Sequence, residues 1–151
     1  MKISAKADYA VRAAAELAAA GEGPVKGEAL ATAQGIPQNF LENILTDLRH
    51  AGLVKSQRGA DGGYRLARPA SEVTVADVIR AVDGPLAAVR GEAPENVSYV
   101  GAAAPLQDVW IAVRASLRSV VEHVTLADLA TGAVPGDVAR LADDPDARLR
   151  R

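Results

Sequence analysis

The sequence contains no cysteine, one tryptophan, one phenylalanine and two histidines. Without cysteine there can be no disulfide bond, no thiolate nucleophile and no thiolate-bound zinc or iron–sulfur cluster. Ser119 precedes His123 by four residues, but a serine hydrolase would also need an orienting carboxylate and a G-x-S-x-G turn, which does not accompany this pair. The other histidine, His50, has no ligand-like neighbour. We therefore expect no catalytic site, no metal site and no cofactor.

Long apolar runs are also absent. No segment approaches the roughly 18 residues that a membrane-spanning helix requires. The N-terminal MKISAKADYA turns polar where a signal peptide would carry its apolar stretch. Hydrophobic residues make up 49% of the chain and charged residues 24%, a composition typical of a folded globular protein. These features predict a cytoplasmic protein.

The net charge of −2 gives no sign of a nucleic-acid partner until it is divided along the chain. Residues 1–69 contain nine Lys and Arg against seven acids, for a charge of +2, whereas residues 70–151 contain eight against twelve, for −4. Within residues 48–68 the single acid is Asp61, and the cations are Arg49, Lys55, Arg58, Arg65 and Arg68. A local basic patch is typical of a phosphate-binding surface, although an ordinary solvated stretch would show the same charge pattern.

Three segments with helical periodicity lie before or beside this patch. Apolar residues recur every three or four positions in residues 4–20, 26–33 and 37–52. Ser4 is a candidate N-cap, and Gly35 lies in the short turn between the second and third segments. Two short helices joined by such a turn are typical of a helix-turn-helix. The expected interior residues of the third helix are Phe40, Leu41 and Ile44.

A β-hairpin is expected directly after these helices. Leu53–Ser56 and Gly63–Leu66 are short strand-like runs, and the glycines between them provide a turn. A basic hairpin that follows a helix-turn-helix is typical of a wing. The sequence therefore predicts a mainly α protein with a small β wing, and a winged helix-turn-helix in residues 1–70.

The second half of the chain predicts further helices. Thr74 and Asp77 form a capping-box pattern, Thr125 caps another short helix, and residues 90–105 resemble a loop. A heptad seam is formed by Leu106, Trp110, Val113, Leu117, Val120 and Val124. This narrow seam favours packing against a partner helix, and packing on the chain's own core is the alternative. Residues 71–131 are expected to form a linker helix and a dimerisation helix, and residues 132–151 a charged tail that frays.

Together these motifs resemble the Rrf2 family of winged helix-turn-helix transcription regulators. The resemblance covers about residues 1–131 and rests on KADYAVRAAAELA, GIPQNFLENILTDLRHAGLVKSQRGADGGYRLARP and VTVADVIRAVDGPL. The order and spacing of AGLVKSQRGADGGYRLARP carry most of its specificity. It implies a bacterial homodimer that binds a palindromic operator in double-stranded DNA, usually as a repressor, and whose long helices cross.

The resemblance also implies which side chains contact DNA. Base-reading side chains are expected at the start of the third helix, namely Gln38, Asn39, Glu42 and Asn43. Side-chain amides can pair bidentately with adenine, and a glutamate can accept a hydrogen bond from cytosine. Arg58 corresponds to a wing residue that enters the minor groove, although it could be a solvated hairpin charge. Phosphate contacts are expected from Lys6, Tyr9 and Lys55, and Tyr9 could equally be a core residue.

Many members of the family bind an iron–sulfur cluster through three cysteines in the loop before the dimer helix. That loop here contains Ala102, Ala103 and Ala104, so the resemblance implies a member without a cluster. Asp8, which corresponds to a cluster ligand in some relatives, is expected to be only a first-turn helix acid. A cluster-free branch of the family controls sulfur and cysteine supply, so the resemblance offers this pathway for the chain, with either a small molecule or a protein as the effector. A winged helix that docks on a protein instead of DNA is the alternative function.

Overall fold

The computed structural model describes residues 1–150, so Arg151, the last residue of the predicted tail, lies outside the described residues. The described chain forms helices, one two-stranded sheet and short 3₁₀ turns. In chain order these are α1 (Ala5–Ala19), α2 (Gly27–Gln34), α3 (Gln38–His50), β1 (Val54–Gln57), β2 (Gly63–Leu66), α4 (Val75–Asp83), α5 (Leu106–Val121), α6 (Leu126–Thr131) and α7 (Gly136–Asp143). Among them no helix is long and apolar enough to cross a membrane.

Helix α1 lies at the centre of the fold and packs against α2, α3, α4 and α6. The Ser4 hydroxyl accepts a hydrogen bond from the Ala7 amide at 2.9 Å, which confirms the predicted N-cap. The buried face of α1 consists of Ala7, Ala10, Ala13, Ala14 and Leu17. Four of these side chains are a single methyl group, so neighbouring helices can approach the α1 backbone closely.

The predicted helix-turn-helix is confirmed in α2 and α3. Gly35 ends α2 with φ of +62°, a left-handed conformation that glycine adopts without strain. Helix α3 buries Leu41, Ile44, Leu45 and Leu48. Phe40 was predicted in the interior, and this prediction is wrong. Its ring is 51% exposed and packs edge-to-face on Tyr9 of α1, with 6.3 Å between the ring centroids.

The predicted wing is also confirmed, with its first strand one residue later than expected. Strands β1 and β2 pair antiparallel, with Val54 opposite Leu66. Val25, just before α2, forms an additional bridge to Tyr64 through two backbone hydrogen bonds of 2.8 Å. This bridge joins the hairpin to the start of α2 and so fixes the wing relative to the helix-turn-helix.

In the second half of the chain, both predicted capping boxes form, at Thr74 and at Thr125. Helix α5 ends at Val121, before the last residue of the predicted heptad seam. That residue, Val124, is 6% exposed, and its carbonyl accepts a hydrogen bond from the Val75 amide. Val124 thus packs in the chain's own core. The tail differs from the expectation of fraying, because α7 and a 3₁₀ turn at Pro145–Arg148 occupy most of it.

Candidate nucleic-acid interface

The face of α3 opposite the core is an exposed polar surface. Its four side chains are Asn39, Glu42, Asn43 and Thr46. At 100° per residue they lie on the side of the helix that faces away from Leu41 and Leu48. The Thr46 hydroxyl donates to the Glu42 carbonyl at 2.9 Å, so it is satisfied within the helix. Three of the four predicted base-reading residues are therefore brought together here, and Thr46 was not predicted.

The fourth predicted residue, Gln38, is exposed at the edge of α3 beside the wing. It lines a groove of about 260 Å³ together with Glu42, Gly27, Gly59 and Gly63. This groove therefore separates the start of α3 from the turn of the hairpin. A nucleic acid that contacts the N-terminal end of α3 would also meet the wing tip.

The opposite edge of α3 adjoins α1. Lys6, predicted as a phosphate contact, forms an ion pair with Asp47 of α3 at 2.6 Å, and its side chain is 39% exposed. Tyr9 is half-buried, and the Arg12 guanidinium lies 4.8 Å from the centroid of its ring. Lys6 and Tyr9 thus lie together at the α1–α3 edge, and both have partners within the chain.

The wing tip, residues 58–62, is held in place by main-chain contacts. The Gly62 amide donates to the Gly59 carbonyl at 3.0 Å, and the Lys26 ammonium donates to the Ala60 carbonyl at 2.7 Å. Arg58 is exposed, and no ion pair to it is found within residues 1–150. Its charge is therefore available to an external anion.

Substitution of Gly62 by alanine is expected to distort the wing tip. A Cβ atom at this position would lie 2.1 Å from the Gln57 carbonyl oxygen and 2.8 Å from the Arg58 carbonyl carbon, so the backbone must shift. We expect Gly62→Ala to destabilise the protein by about 2 kcal/mol and to raise amide exchange in the hairpin. Gly23→Ala is the control, because a Cβ there would meet nothing within 4 Å. Equal protection of β1 and β2 in both variants would contradict the prediction.

Five cations lie at the end of α3, on the wing and directly after it, and none forms an ion pair with an acid of the described chain. They are Arg49, Lys55, Arg58, Arg65 and Arg68. All five are exposed. Arg49 and Arg68 make weaker contacts, to the Ser56 hydroxyl at 3.4 Å and the Glu72 carbonyl at 3.1 Å. The sequence analysis proposed DNA contacts only for Lys55 and Arg58. The excess of positive charge in residues 48–68, however, includes all five cations.

Helix α5 contains many apolar residues, yet no α5 residue is buried. The five positions of the predicted seam that lie in α5 are all half-buried, and Val109, outside the seam, is 50% exposed. A 16-residue helix with this composition has no adequate apolar partner within the described residues.

Ion pairs connect α5 to the rest of the chain. Arg80 of α4 and Arg118 of α5 both donate to Glu122, and these two hydrogen bonds lower the pKa of Glu122. Arg114 pairs with Glu95 at 2.7 Å. The pKa of Glu95 is lowered by a backbone hydrogen bond and then by Arg114. Polar contacts therefore orient α5 on the winged unit, while its apolar face is only half-buried.

Comparison with known sequences identifies the family. A family model described as "Iron-dependent Transcriptional regulator" matches residues 3–132. The chain belongs to the Rrf2 family. This Rrf2 protein is 57% identical over 145 residues to a protein of Mycobacterium tuberculosis named as an HTH-type transcriptional regulator. The matched region covers 95% of this chain and 90% of the relative. It is 36% identical over 132 residues to the transcriptional regulator CymR of Bacillus subtilis, covering 87% and 91% of the two chains.

Solved structures agree with this assignment. The structure of CymR, the global cysteine regulator of B. subtilis, matches with a TM-score of 0.73 at 35% identity, covering 87% of this chain and 98% of that one. The structure of IscR from T. potens matches with a TM-score of 0.69 at 34% identity, covering 100% and 93%. The protein is therefore a winged-helix DNA-binding transcriptional regulator, and its relatives are regulators rather than enzymes.

The iron dependence in the family description does not fit the donors of this chain. Thiolates are excluded by the sequence, and Ala102–Ala104 occupy the exposed loop before α5. Asp8 forms an ion pair with Arg12 at 3.2 Å. Within residues 1–150 no group of three or more His, Cys, Asp or Glu side chains could hold a metal ion. The donors of the described chain therefore do not fit an iron site.

Proposed function

We propose that this Rrf2 protein is a homodimeric repressor that binds a palindromic DNA operator without an iron–sulfur cluster. The observation that carries the proposal is the exposed polar face of α3 beside a wing with unpaired cations. A helix of this kind fits the major groove while the wing reaches the adjacent minor groove. Occupation of an operator would then block transcription from the neighbouring promoter.

The proposed roles follow from side-chain chemistry. Gln38, Asn39 and Asn43 would pair with adenine, and Glu42 would accept a hydrogen bond from cytosine. The tip residue Arg58 would enter the minor groove, where negative potential attracts a guanidinium group. Phosphates would be bound by Lys55, and at the α1–α3 edge by Lys6 and Tyr9. Phosphate binding by Lys6 requires it to exchange or share its ion pair with Asp47.

The dimer is proposed to form through α5. Its half-buried seam residues are Leu106, Trp110, Val113, Leu117 and Val120. A second copy of the same face would cover them, because a two-fold interface is self-complementary. Two crossed α5 helices would set the separation of the two α3 helices, and hence the spacing of the half-sites.

We further propose that the regulated genes serve sulfur or cysteine metabolism. The support is similarity to CymR, the global cysteine regulator of B. subtilis. The second candidate function is a winged helix that docks on another protein. The five unpaired cations at the end of α3, on the wing and directly after it favour DNA, since a protein-docking surface has no need to gather so many charges of one sign.

The test is selection of genomic DNA fragments by the purified protein at about physiological salt, followed by sequencing. Enrichment of one two-fold-symmetric motif is expected, and the adjacent genes would identify the pathway. Failure of a folded dimer to enrich any fragment, at low or moderate salt, would contradict DNA binding by the isolated protein. Enrichment beside genes unrelated to sulfur would contradict only the pathway.

Substitution of Arg58 by alanine tests the wing. We expect a loss of about tenfold or more in operator affinity, because each protomer loses one guanidinium contact in the minor groove. The side chain is exposed, so the unfolding temperature should not change. Arg90→Ala, at an exposed position outside the wing, is the charge-matched control for fluorescence anisotropy. Operator affinity equal to that of the parent would show that Arg58 is only a solvated hairpin charge.

A further inference from the structure

The outer face of the hairpin carries two cations directly opposite one another. Lys55 on β1 is the register partner of Arg65 on β2, and both side chains are exposed. Like charges at opposed positions of an antiparallel pair repel and destabilise the hairpin. No acid of the described chain forms an ion pair with either residue. Glu22 lines an adjoining groove with both side chains but forms no ion pair with either, so the folded protein compensates this pairing only weakly.

Arg49 extends the same positive surface to the end of α3. Arg49, Lys55 and Arg65 line one shallow groove along the edge and outer face of the hairpin, with Ser56 and Gln57 between them. The Arg49 guanidinium contacts the Ser56 hydroxyl, which joins α3 to β1 across this groove. The three cations form a continuous surface that we call the outer basic surface.

We propose that the outer basic surface binds the DNA backbone, and that Arg49 and Arg65 are phosphate contacts in addition to Lys55. This inference rests on the proposed function and assigns a second contact surface to the wing. The partner is a polyanion with regularly spaced phosphates, because three cations without acids between them match a row of charges rather than a single small anion.

The position of this surface indicates which part of the backbone it contacts. Val54 and Tyr64 face the core and α2, whereas Lys55 and Arg65 point away from it. With α3 in the major groove and the wing tip in the minor groove, this outer face lies on the side of the wing remote from the base-reading end of α3. The backbone segment that we propose for this surface is therefore a different one from the segment beside the N-terminal end of α3.

The experiment compares Arg49→Gln/Arg65→Gln with the parent and with Arg140→Gln/Arg150→Gln. The control removes the same charge from exposed positions in the C-terminal segment. Binding to the selected operator is measured by anisotropy between 50 and 200 mM salt. Removal of four phosphate contacts from a dimer should reduce the slope of log K against log salt by about four. The ratio of the parent's operator affinity to that of the variant should therefore fall by about 100-fold as the salt concentration rises from 50 to 200 mM.

Three further results are expected if the inference is correct. The ratio of operator to non-specific affinity stays within about threefold of the parent ratio, because phosphate contacts do not select sequence. Phosphate ethylation interference disappears at one backbone segment in each half-site and persists beside α3. The unfolding temperature is unchanged or raised, because the Lys55–Arg65 repulsion is removed.

Three outcomes would overturn the inference, and they are distinguishable. A parent-like salt slope in Arg49→Gln/Arg65→Gln, with normal binding by the parent, refutes the outer basic surface and leaves the proposed function intact. An equal loss of slope in Arg140→Gln/Arg150→Gln shows a general charge effect and also refutes it. Absence of operator binding by the parent itself refutes the proposed function, and the inference with it.

Discussion

A Val109→Glu/Val113→Glu variant is expected to be monomeric and to lose operator binding by a factor of about 10² to 10⁴. Val109 is 50% exposed and Val113 is half-buried one turn further along α5. In the proposed dimer both side chains would be covered by the partner helix, where an unpaired carboxylate is strongly unfavourable. A monomer binds only one half-site. It therefore loses the high effective concentration that the second α3 helix has at its half-site once the first protomer of a dimer is bound.

The measurement combines analytical ultracentrifugation with operator binding by anisotropy. Ala115→Glu is the matched control, because Ala115 is exposed on the side of α5 opposite the seam. This control should remain dimeric and bind like the parent. The helix content of all three proteins should be equal, since neither valine is buried in the described chain. If the Val109→Glu/Val113→Glu protein is still dimeric, the dimer interface does not include this face of α5.

Local sequence signals predicted the helices and wing well, because each signal acts over a few residues. The Thr74 and Thr125 capping boxes, the Gly35 turn and the two strands of the hairpin all form, with the first strand one residue later than expected. Such features depend on backbone hydrogen bonds between near neighbours in sequence. The family resemblance then supplied the arrangement of these elements, which periodicity alone does not determine.

Positions between two helices were harder to predict. Phe40 lies at the edge of the apolar face of α3, where it contacts Tyr9 rather than the interior. Lys6 finds Asp47 on α3, a pairing between residues 41 positions apart. The packing of α1 on α3 joins residues that are far apart in the chain, and so does an ion pair between these helices. Hydrophobic periodicity within a single sequence therefore indicates neither of them. Charge patterns therefore located the basic surface but not the partner of each charge.

The prediction of the heptad seam is wrong at its last residue, Val124, for a related reason. Val124 continues the four-and-three spacing, so periodicity alone assigns it to α5. The chain instead leaves the helix after Val121, and Val124 joins the core through its hydrogen bond with Val75. A valine is compatible with a seam position on a helix and with a buried extended segment. Only the contact between Val124 and Val75 distinguishes these two alternatives.

Replacement of Asn39 and Asn43 by alanine is expected to remove a large part of the sequence selection, while the proposed contacts of Gln38 and Glu42 remain. Both side chains are exposed on the same face of α3, and no hydrogen bond within the chain occupies either amide among the described contacts. Each bidentate contact to adenine contributes about 1–3 kcal/mol of discrimination, and a dimer would lose four. Operator affinity should therefore fall by about a thousandfold or more, toward the affinity for non-specific DNA.

The Asn39→Ala/Asn43→Ala protein should keep the salt dependence of the parent, because its phosphate-binding cations are unchanged. Its stability should be equal or slightly higher, since alanine favours the helix more than asparagine does. Asn96→Ala makes the same chemical change at an exposed turn outside α3 and should bind normally. Full operator affinity in the double variant would mean that α3 does not read bases. Loss of both specific and non-specific binding would instead assign these residues to phosphate contact, since base contacts affect only the sequence-dependent part of the affinity.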